Sequence, residues 1–549
     1  MGHKDCGNKR DHKKKCNKKK DCRGDCCKCT VIDKLPFVVT RPGKYSFKKN
    51  LVYPDIGAGI EINTSDVSIT GCFHKLSLEK AGSATDTTWD PNVGIKVNGP
   101  LIGEGRFKNI TIKDFTIDTL VTTPNPPGDP VFPLTQSFST AILVNGADNV
   151  HLKNITYSKT THGVETQNVS GVTIQNSGFV DNYGLNTNSG FAELTGTNIF
   201  LQEDSRNILV KDCSMEGQAT GSGRLKSFGI YSHLSTKNIR NVTFDRCQFN
   251  NSESPIHIAQ CNGFSINECN MSSDVVFNNI MQIGSFSSLD DKVEGFICRN
   301  TNIWGRTEEA LGGEAIEFLQ GDGALLQNVN IVFNGSSAAS GFGSINVGTG
   351  GSFGGGRFRF PNVVFDNVNL QGDSKIGISV TTSDNFTLKN SHISDADIAV
   401  WIGAPIFGEE NPKTDYITIE NNVITGKSSL VAGSVGIKFD STNGSVAKGN
   451  RISSFCTAIE LSAATVVPPI LGASNTVIEG NTIANNGDNT TTAGESIVDN
   501  GVNTLITRFG VNPNPNLFHN NTLGCVGCSA NNPVKVNFDE IKKKMRHLL

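Results

Sequence analysis

The sequence predicts an all-β solenoid, in which coil after coil of short strands stacks into one long cylinder, and three observations carry that reading. One is a pattern of apolar, any, apolar, two polar, small or amide, any, apolar. It recurs as Val172-x-Ile174-x-x-Ser177-x-Phe179, Ile208-x-Val210-x-x-Cys213-x-Met215, Val242-x-Phe244-x-x-Cys247-x-Phe249 and Phe264-x-Ile266-x-x-Cys269-x-Met271. Period-two alternation on both sides of a two-residue break describes a strand, a corner and a second strand. Another is an apolar column ahead of each unit, commonly after Gly or Ala: Ile60, Ile95, Ile142, Val164, Ile199, Ile230, Ile256, Ile316, Ile378, Ile398, Ile437 and Ile459. The third is composition: 58 of 549 residues are Gly and only 18% are charged, which favours turn-rich architecture over helical bundles.

From the N-terminus, residues 1–29 read as a Lys/Cys-rich leader with 11 Lys/Arg, 4 Asp and six of the 15 cysteines: Cys6, Cys16, Cys22, Cys26, Cys27 and Cys29. The remainder carries 38 basic against 48 acidic residues. With no aliphatic residue after Met1, the leader cannot bury enough surface to fold alone and is expected to be disordered. A solvated tail, a zinc site using His3 and His12, and cross-linking are its open uses. The spacing matches no paired zinc knuckle, whereas exposed thiols beside Lys exchange readily, so anchoring or cross-linking through the six cysteines is the expectation.

Residues 30–58 follow as an N-terminal cap, 59–505 as the solenoid and 506–549 as a C-terminal cap. In the last, Phe538, Ile541, Met545 and Leu548 recur at helical spacing. Cys525-x-x-Cys528 lies there too, open to a local disulfide, to chemistry shared with the leader, or to two free thiols. No apolar run approaches the ~18 residues of a membrane span, and the N-terminus lacks the apolar stretch of an export signal, so synthesis in the cytoplasm is expected.

Within the solenoid, the residues at the break are Cys72, Phe115, Ile155, Ser177, Cys213, Cys247, Cys269, Thr301, Val329, Val368, Ser391, Asn422, Asn450 and Asn481. They imply about 13–14 coils, because like residues in like places stack when strands pair in parallel. Cys213, Cys247 and Cys269 are expected to form a buried ladder, and Asn422, Asn450 and Asn481 an amide ladder. At this level the repeat resembles the parallel β-helix of the pectin-lyase-like superfamily. The opening Pro36-Phe37-Val38-Val39-Thr40-Arg41-Pro42-Gly43-Lys44-Tyr45, followed by Gly59-Ile60-Glu61-Ile62, is similar to the first coils of its members. The resemblance implies a right-handed, single-stranded parallel β-helix with three sheets per coil. It implies no one chemistry, since that fold hosts lyases, hydrolases, epimerases, tailspikes and scaffolds.

The polygalacturonase elements are not matched: Asp290-Asp291 is the lone adjacent Asp pair, and His162-Gly163 lacks the preceding Gly. The candidate groove is instead the row of residues directly after the inward Ile column, expected to point outward. Phe200 and Tyr231 would bind a sugar chain, with Glu165 or Glu317 as carboxylate and His257 as general acid or base. A mixed outward row is also what any solenoid collects. Glu253 with His257 is a second candidate, equally readable as surface electrostatics. Long excursions at 122–133, rich in Pro, and 348–360, rich in Gly, read as loops. The many Asn-x-Ser/Thr triplets, such as Asn109, Asn154, Asn168, Asn241 and Asn385, reflect the Asn/Thr-rich coil.

The basic, Cys-rich leader joined to an acidic rod resembles, in composition, the surface-fibril proteins of amoeba-infecting giant DNA viruses. That resemblance implies a structural component of a virion surface or fibril layer, with copies of itself or other virion proteins as partners. The alternative is a polysaccharide-binding or polysaccharide-degrading enzyme, a lyase or a glycoside hydrolase. No cofactor is expected; a pectate-lyase site would need clustered calcium carboxylates, and spacing locates no such cluster. Nucleic acid ranks last as a partner, because the leader lacks the aromatic residues on which bases stack.

Overall fold

Parallel pairing from one turn of chain to the next organises the whole molecule, seen in a computed structural model. The structure describes residues 29–80, 82–85, 88–90, 92–100, 105–119, 136–180, 182, 184–185, 196–217, 225–232, 238–252, 254–276, 279–285, 292–307, 313–335, 343–348, 352–353, 356–403, 414–429, 431–463, 472–484, 497–502 and 505–506. Each coil contributes a strand to three long parallel sheets in turn. The first sheet starts at Phe37–Val39 and Ala58–Ile62, the second at Gly43–Phe47 and Val67–Thr70, the third at Leu51–Tyr53 and Lys75–Leu78. Fifteen complete coils run from Phe37 to Ala484 among the described residues, and stacking at ~4.8 Å gives a cylinder of about 70 Å. The stretch 30–58, expected to be a cap, thus supplies the first coil itself. Cys6, Cys16, Cys22, Cys26, Cys27, Glu253, Asp290, Asp291, the 122–133 excursion, Cys525, Cys528 and the expected terminal helix lie outside the described residues.

The corner between the second and third sheets has a local cause. One residue of the two-residue break adopts left-handed backbone, at φ near +50° in Asn176, Asp212, Asn300 and Asn421, and as glycine in Gly449 and Gly480. Asn, Asp and Gly tolerate that region at least cost, which is why the break is polar or small. The next residue turns inward, and the ladders form. The Asn422 backbone N–H and Nδ2 both donate to Asn450 Oδ1 (3.0 and 2.9 Å), and Asn450 repeats the pair of bonds to Asn481 Oδ1 (2.8 and 2.9 Å). Their Nδ2 groups also donate to the carbonyls of Leu388, Ile419 and Ala447. Cys213, Cys247 and Cys269 stack in the same column, with the Cys247 N–H on Cys269 Sγ at 3.4 Å. Cys72, the first member of the column, is instead disulfide-bonded.

Inside, the apolar columns make one continuous core, with rings of Phe244, Phe264, Phe296, Phe318, Phe365 and Phe386 passing contacts from coil to coil at 5.2–6.1 Å. The Ile column of the first sheet is wholly buried, and Met281 and Ile345 complete it. Val400, not Ile398, holds its place in one coil, because Ile378 pairs with Val400. A buried amide in a fully bonded ladder is costly to remove. Asn450→Ala removes the acceptor of the Asn422 N–H, one of the two bonds of Asn422 Nδ2 and the side-chain bond to the Ile419 carbonyl, and should destabilise the rod by about 3 kcal/mol or more in denaturant unfolding. Asn302→Ala, which removes only an exposed bond to Asn270, should cost less than about 1 kcal/mol.

Candidate functional site

The site stands on an irregularity of the first sheet. Register between neighbouring coils skips the residue before the Ile column: Thr140 pairs with His162 and Ile142 with Val164, then His162 with Thr197 and Val164 with Ile199. The skipped residue lies close to the backbone of the next coil. A Cβ at Gly163 would meet the Asn198 carbonyl at 2.6 Å, and one at Gly229 the Pro255 carbonyl at 2.3 Å. This accounts for the glycines that precede the column at Gly163 and Gly229. The skip also brings two residues of each strand, three apart, onto one outward face: His162 beside Glu165, Phe228 beside Tyr231, Glu314 beside Glu317.

Glu165, Phe200, Tyr231 and His257 do fall in single file on successive coils, and Gln282, Glu317, Asn346, Ser379, Trp401, Lys438 and Glu460 continue the file. The expected exposure is overturned at its upper end. Phe200 and Tyr231 are each 2% exposed and, with Phe228, form an apolar cluster separate from the core. Phe228 lies 5.2 Å from Tyr231, Tyr231 stacks on His257 at 4.8 Å, and Phe200 packs on His162 at 4.6 Å. The second outward residue of each strand supplies this cover. Glu165 is equally buried, accepting hydrogen bonds from Thr140 Oγ1 (3.1 Å) and Gln202 Nε2 (2.5 Å), with His162 Nδ1 at 3.4 Å. It is fastened into the sheet. Glu165 and Glu317 are five coils apart, ~24 Å, and His257 is ~10 Å of stacking from Glu317, so the expected Glu/His combination is not brought together.

What the structure brings together is a different carboxylate pair. Glu314 and Glu317 share one strand and one outward face, Glu317 buried and Glu314 partly so. Asn279 Nδ2 donates to Glu317 Oε2 at 2.5 Å from the preceding coil. Burial raises the Glu317 carboxyl to about 7, opposed by that hydrogen bond, and burial followed by the charge of Glu317 holds Glu314 well above the usual carboxylate range. On the next coil, Asn346 pairs with Glu317, is fully buried, and among the described residues has both amide atoms without a partner; Asn279 Oδ1 is likewise without one. Farther along, Trp401 Nε1 donates to Asp440 Oδ2 (2.7 Å), Ser462 Oγ donates to Asp440 Oδ1 (2.5 Å), and Lys438 Nζ lies 3.3 Å from Glu460 and 5.0 Å from the Trp401 ring centre. Burial raises the Asp440 carboxyl.

Of these groups, only Glu317 was a sequence candidate. Glu314, Asn279 and Asn346 carried one available signal, their offsets of −2 and +1 from the apolar column. Of the leader cysteines only Cys29 falls in the described part, partly buried at the start of the rod. Among the described residues no cluster of three or more His, Cys, Asp or Glu is arranged to hold a metal ion.

Residues 314–543 match a family model described as a right handed beta helix region. With the coil geometry, this defines the class: the chain folds as a right-handed parallel β-helix. Similar solved structures include the mannuronan C-5 epimerase A-module of Azotobacter vinelandii (12% identity, 85% of this chain and 90% of that chain, TM-score 0.27). They also include the tailspike protein of E. coli bacteriophage HK620 in complex with pentasaccharide (11% identity, 85% and 72%, TM-score 0.38) and a mutant of it with the same ligand (10% identity, 85% and 72%, TM-score 0.44). No curated protein matches the chain.

Carboxyls with raised folded-state pKa bind more protons than in the unfolded chain, so their contribution to stability is full below the ordinary carboxylate pKa and is lost as pH rises through the folded one. The rod's Tm should therefore fall between pH 4.5 and about 7.5. Glu317→Gln, which is neutral throughout, should flatten that slope in thermal unfolding; an unchanged slope would show that the pair is not the source.

Proposed function

We propose that this protein is a rigid surface rod that engages polysaccharide along the outer face of its first sheet. The observation that carries the reading is the file from His257 to Glu460. At the spacing of parallel strands it aligns an imidazole, amides, a carboxylate pair and a tryptophan over seven coil steps, ~34 Å, in line with the cylinder axis. A chain ligand of hydroxyl groups and apolar ring faces suits such a file: amides and carboxylates take hydroxyls, and an amphipathic ring takes a sugar face. Phe200 and Tyr231 are assigned to holding the face together, and His257, Gln282 and the half-buried Trp401 to contact with ligand.

A second element of the proposal concerns placement. The leader carries a net +7 with six cysteines, and the rest of the chain a net −10. This asymmetry supports a rod made in the cytoplasm and fixed by its N-terminus in a virion surface or fibril layer, with the acidic cylinder projecting. No described helix is long and apolar enough to cross a membrane.

Retention on a panel of immobilised neutral and acidic polysaccharides tests the first element. Trp401→Ala should weaken binding about tenfold, the loss of one good ring contact. Absence of binding across the panel would remove the reading. For the second, oxidised full-length protein should run as DTT-sensitive multimers that disappear when residues 1–29 are deleted; monomers on non-reducing gels would count against cross-linking.

A further inference from the structure

We propose that Glu314 and Glu317 form the proton-donating and proton-accepting pair of a glycoside-hydrolysing centre, with Asn346 as the hydroxyl-binding group of the adjoining sugar subsite. This deepens the polysaccharide reading and rests on it. Three observations converge on one coil junction. Two carboxyl side chains lie on one strand face, and burial and mutual repulsion oppose their both being ionised. Asn279 donates to Glu317, which favours the ionised form there, while Glu314 has no such donor among the described residues. Asn346, fully buried next to Glu317, has neither its Nδ2 nor its Oδ1 bonded among the described residues.

The last of these points to a ligand. A buried amide normally finds partners, and leaving it without them costs about 1–3 kcal/mol per group. An occupant that satisfies both atoms must present an acceptor to Nδ2 and a donor to Oδ1 together. A pair of neighbouring sugar hydroxyls does so; a bare cation, even one held by the carboxylates, would leave Asn346 Nδ2 without an acceptor. The side chains facing the pair from the coils on either side, Asn279, Gln282 and Asn346, are uncharged. Among the described residues paired with this strand none would neutralise a uronate, and the carboxyl pair itself would repel one, so the substrate class is a neutral polysaccharide with adjacent free hydroxyls.

The chemistry closes with water alone as co-reactant. Glu314 gives its proton to the glycosidic oxygen as the bond from that oxygen to the anomeric carbon breaks. Glu317 takes a proton from a solvent water whose oxygen bonds to the same carbon. The products are a free reducing end and a free hydroxyl. The proton now on Glu317 passes back to Glu314, and the pair returns to its starting state.

The test is release of reducing ends from neutral polysaccharides by the full chain, alongside retention on the same polymers. Glu314→Gln and Glu317→Gln should each lower kcat by about 10²-fold or more, the usual scale of one positioned proton-transfer group, with retention kept. Asn346→Ala should raise KM about tenfold with a smaller change in kcat, as a lost hydroxyl contact does. Asn302→Ala, on the outer face of the third sheet, should leave both parameters unchanged and controls for handling. Circular dichroism and Tm report whether each variant still folds, and Glu317→Gln is expected to be at least as stable as the parent at neutral pH. Retention by the parent without any release of reducing ends overturns the hydrolytic pair while leaving the binding reading standing. Cleavage that EDTA abolishes and calcium restores overturns it in favour of a cation held by the carboxylates. No retention of any polymer removes both.

Discussion

Parallel strand pairing along the cylinder axis places side chains of like position ~4.8 Å apart in coil after coil, and the rest of the molecule follows from the need to make those neighbours compatible. Apolar residues satisfy the demand inside by packing Ile on Ile and Phe on Phe. Polar residues satisfy it only by bonding along the axis, as Asn422, Asn450 and Asn481 do with two bonds per step. Like charges satisfy it poorly. Lys438 accordingly sits between Trp401 and Glu460, and Glu317 between two amides. A solenoid therefore distributes its charges by a rule absent from a compact domain: each outward residue is chosen against the one before and the one after.

The first sheet departs from simple alternation, and the departure sets what its face can do. A skipped residue before the inward column brings a second side chain outward in each strand. Where that second residue is Phe228 or His162, the face closes into a buried cluster. Where it is Asn279 or Glu314, the face becomes a polar recess. The same backbone device thus produces an apolar half and a polar half of one face. The carboxylate pair costs stability in its ionised form.

The thiols illustrate how completely the ladder rule controls chemistry. Hydrogen bonding with Cys213 and then Cys269, together with burial, holds the Cys247 thiol far above its ordinary range, and burial pushes Cys298 up to about 12. These cysteines act as small core residues.

Period, corner and ladder were legible in the residues themselves. Inward positions repeat with the coil, left-handed corners select Asn, Asp and Gly, and stacked like residues betray parallel register, so Cys213, Cys247, Cys269 and the three asparagines could be placed by spacing. The file from Glu165 to Glu317 was legible for the same reason. Its environment was not. Whether an outward residue is covered depends on the neighbour three positions away that the skipped residue brings round, and identity at one position carries no trace of that. Sequence alone therefore determined a stacked all-β cylinder and the order of residues along its faces, because both follow from local backbone preference and repetition. Tertiary structure alone decided that Phe200 and Tyr231 are buried, that Glu165 is fastened into the sheet, and that Glu314, Glu317 and Asn346 meet. Those facts arise where side chains of different coils compete for one space.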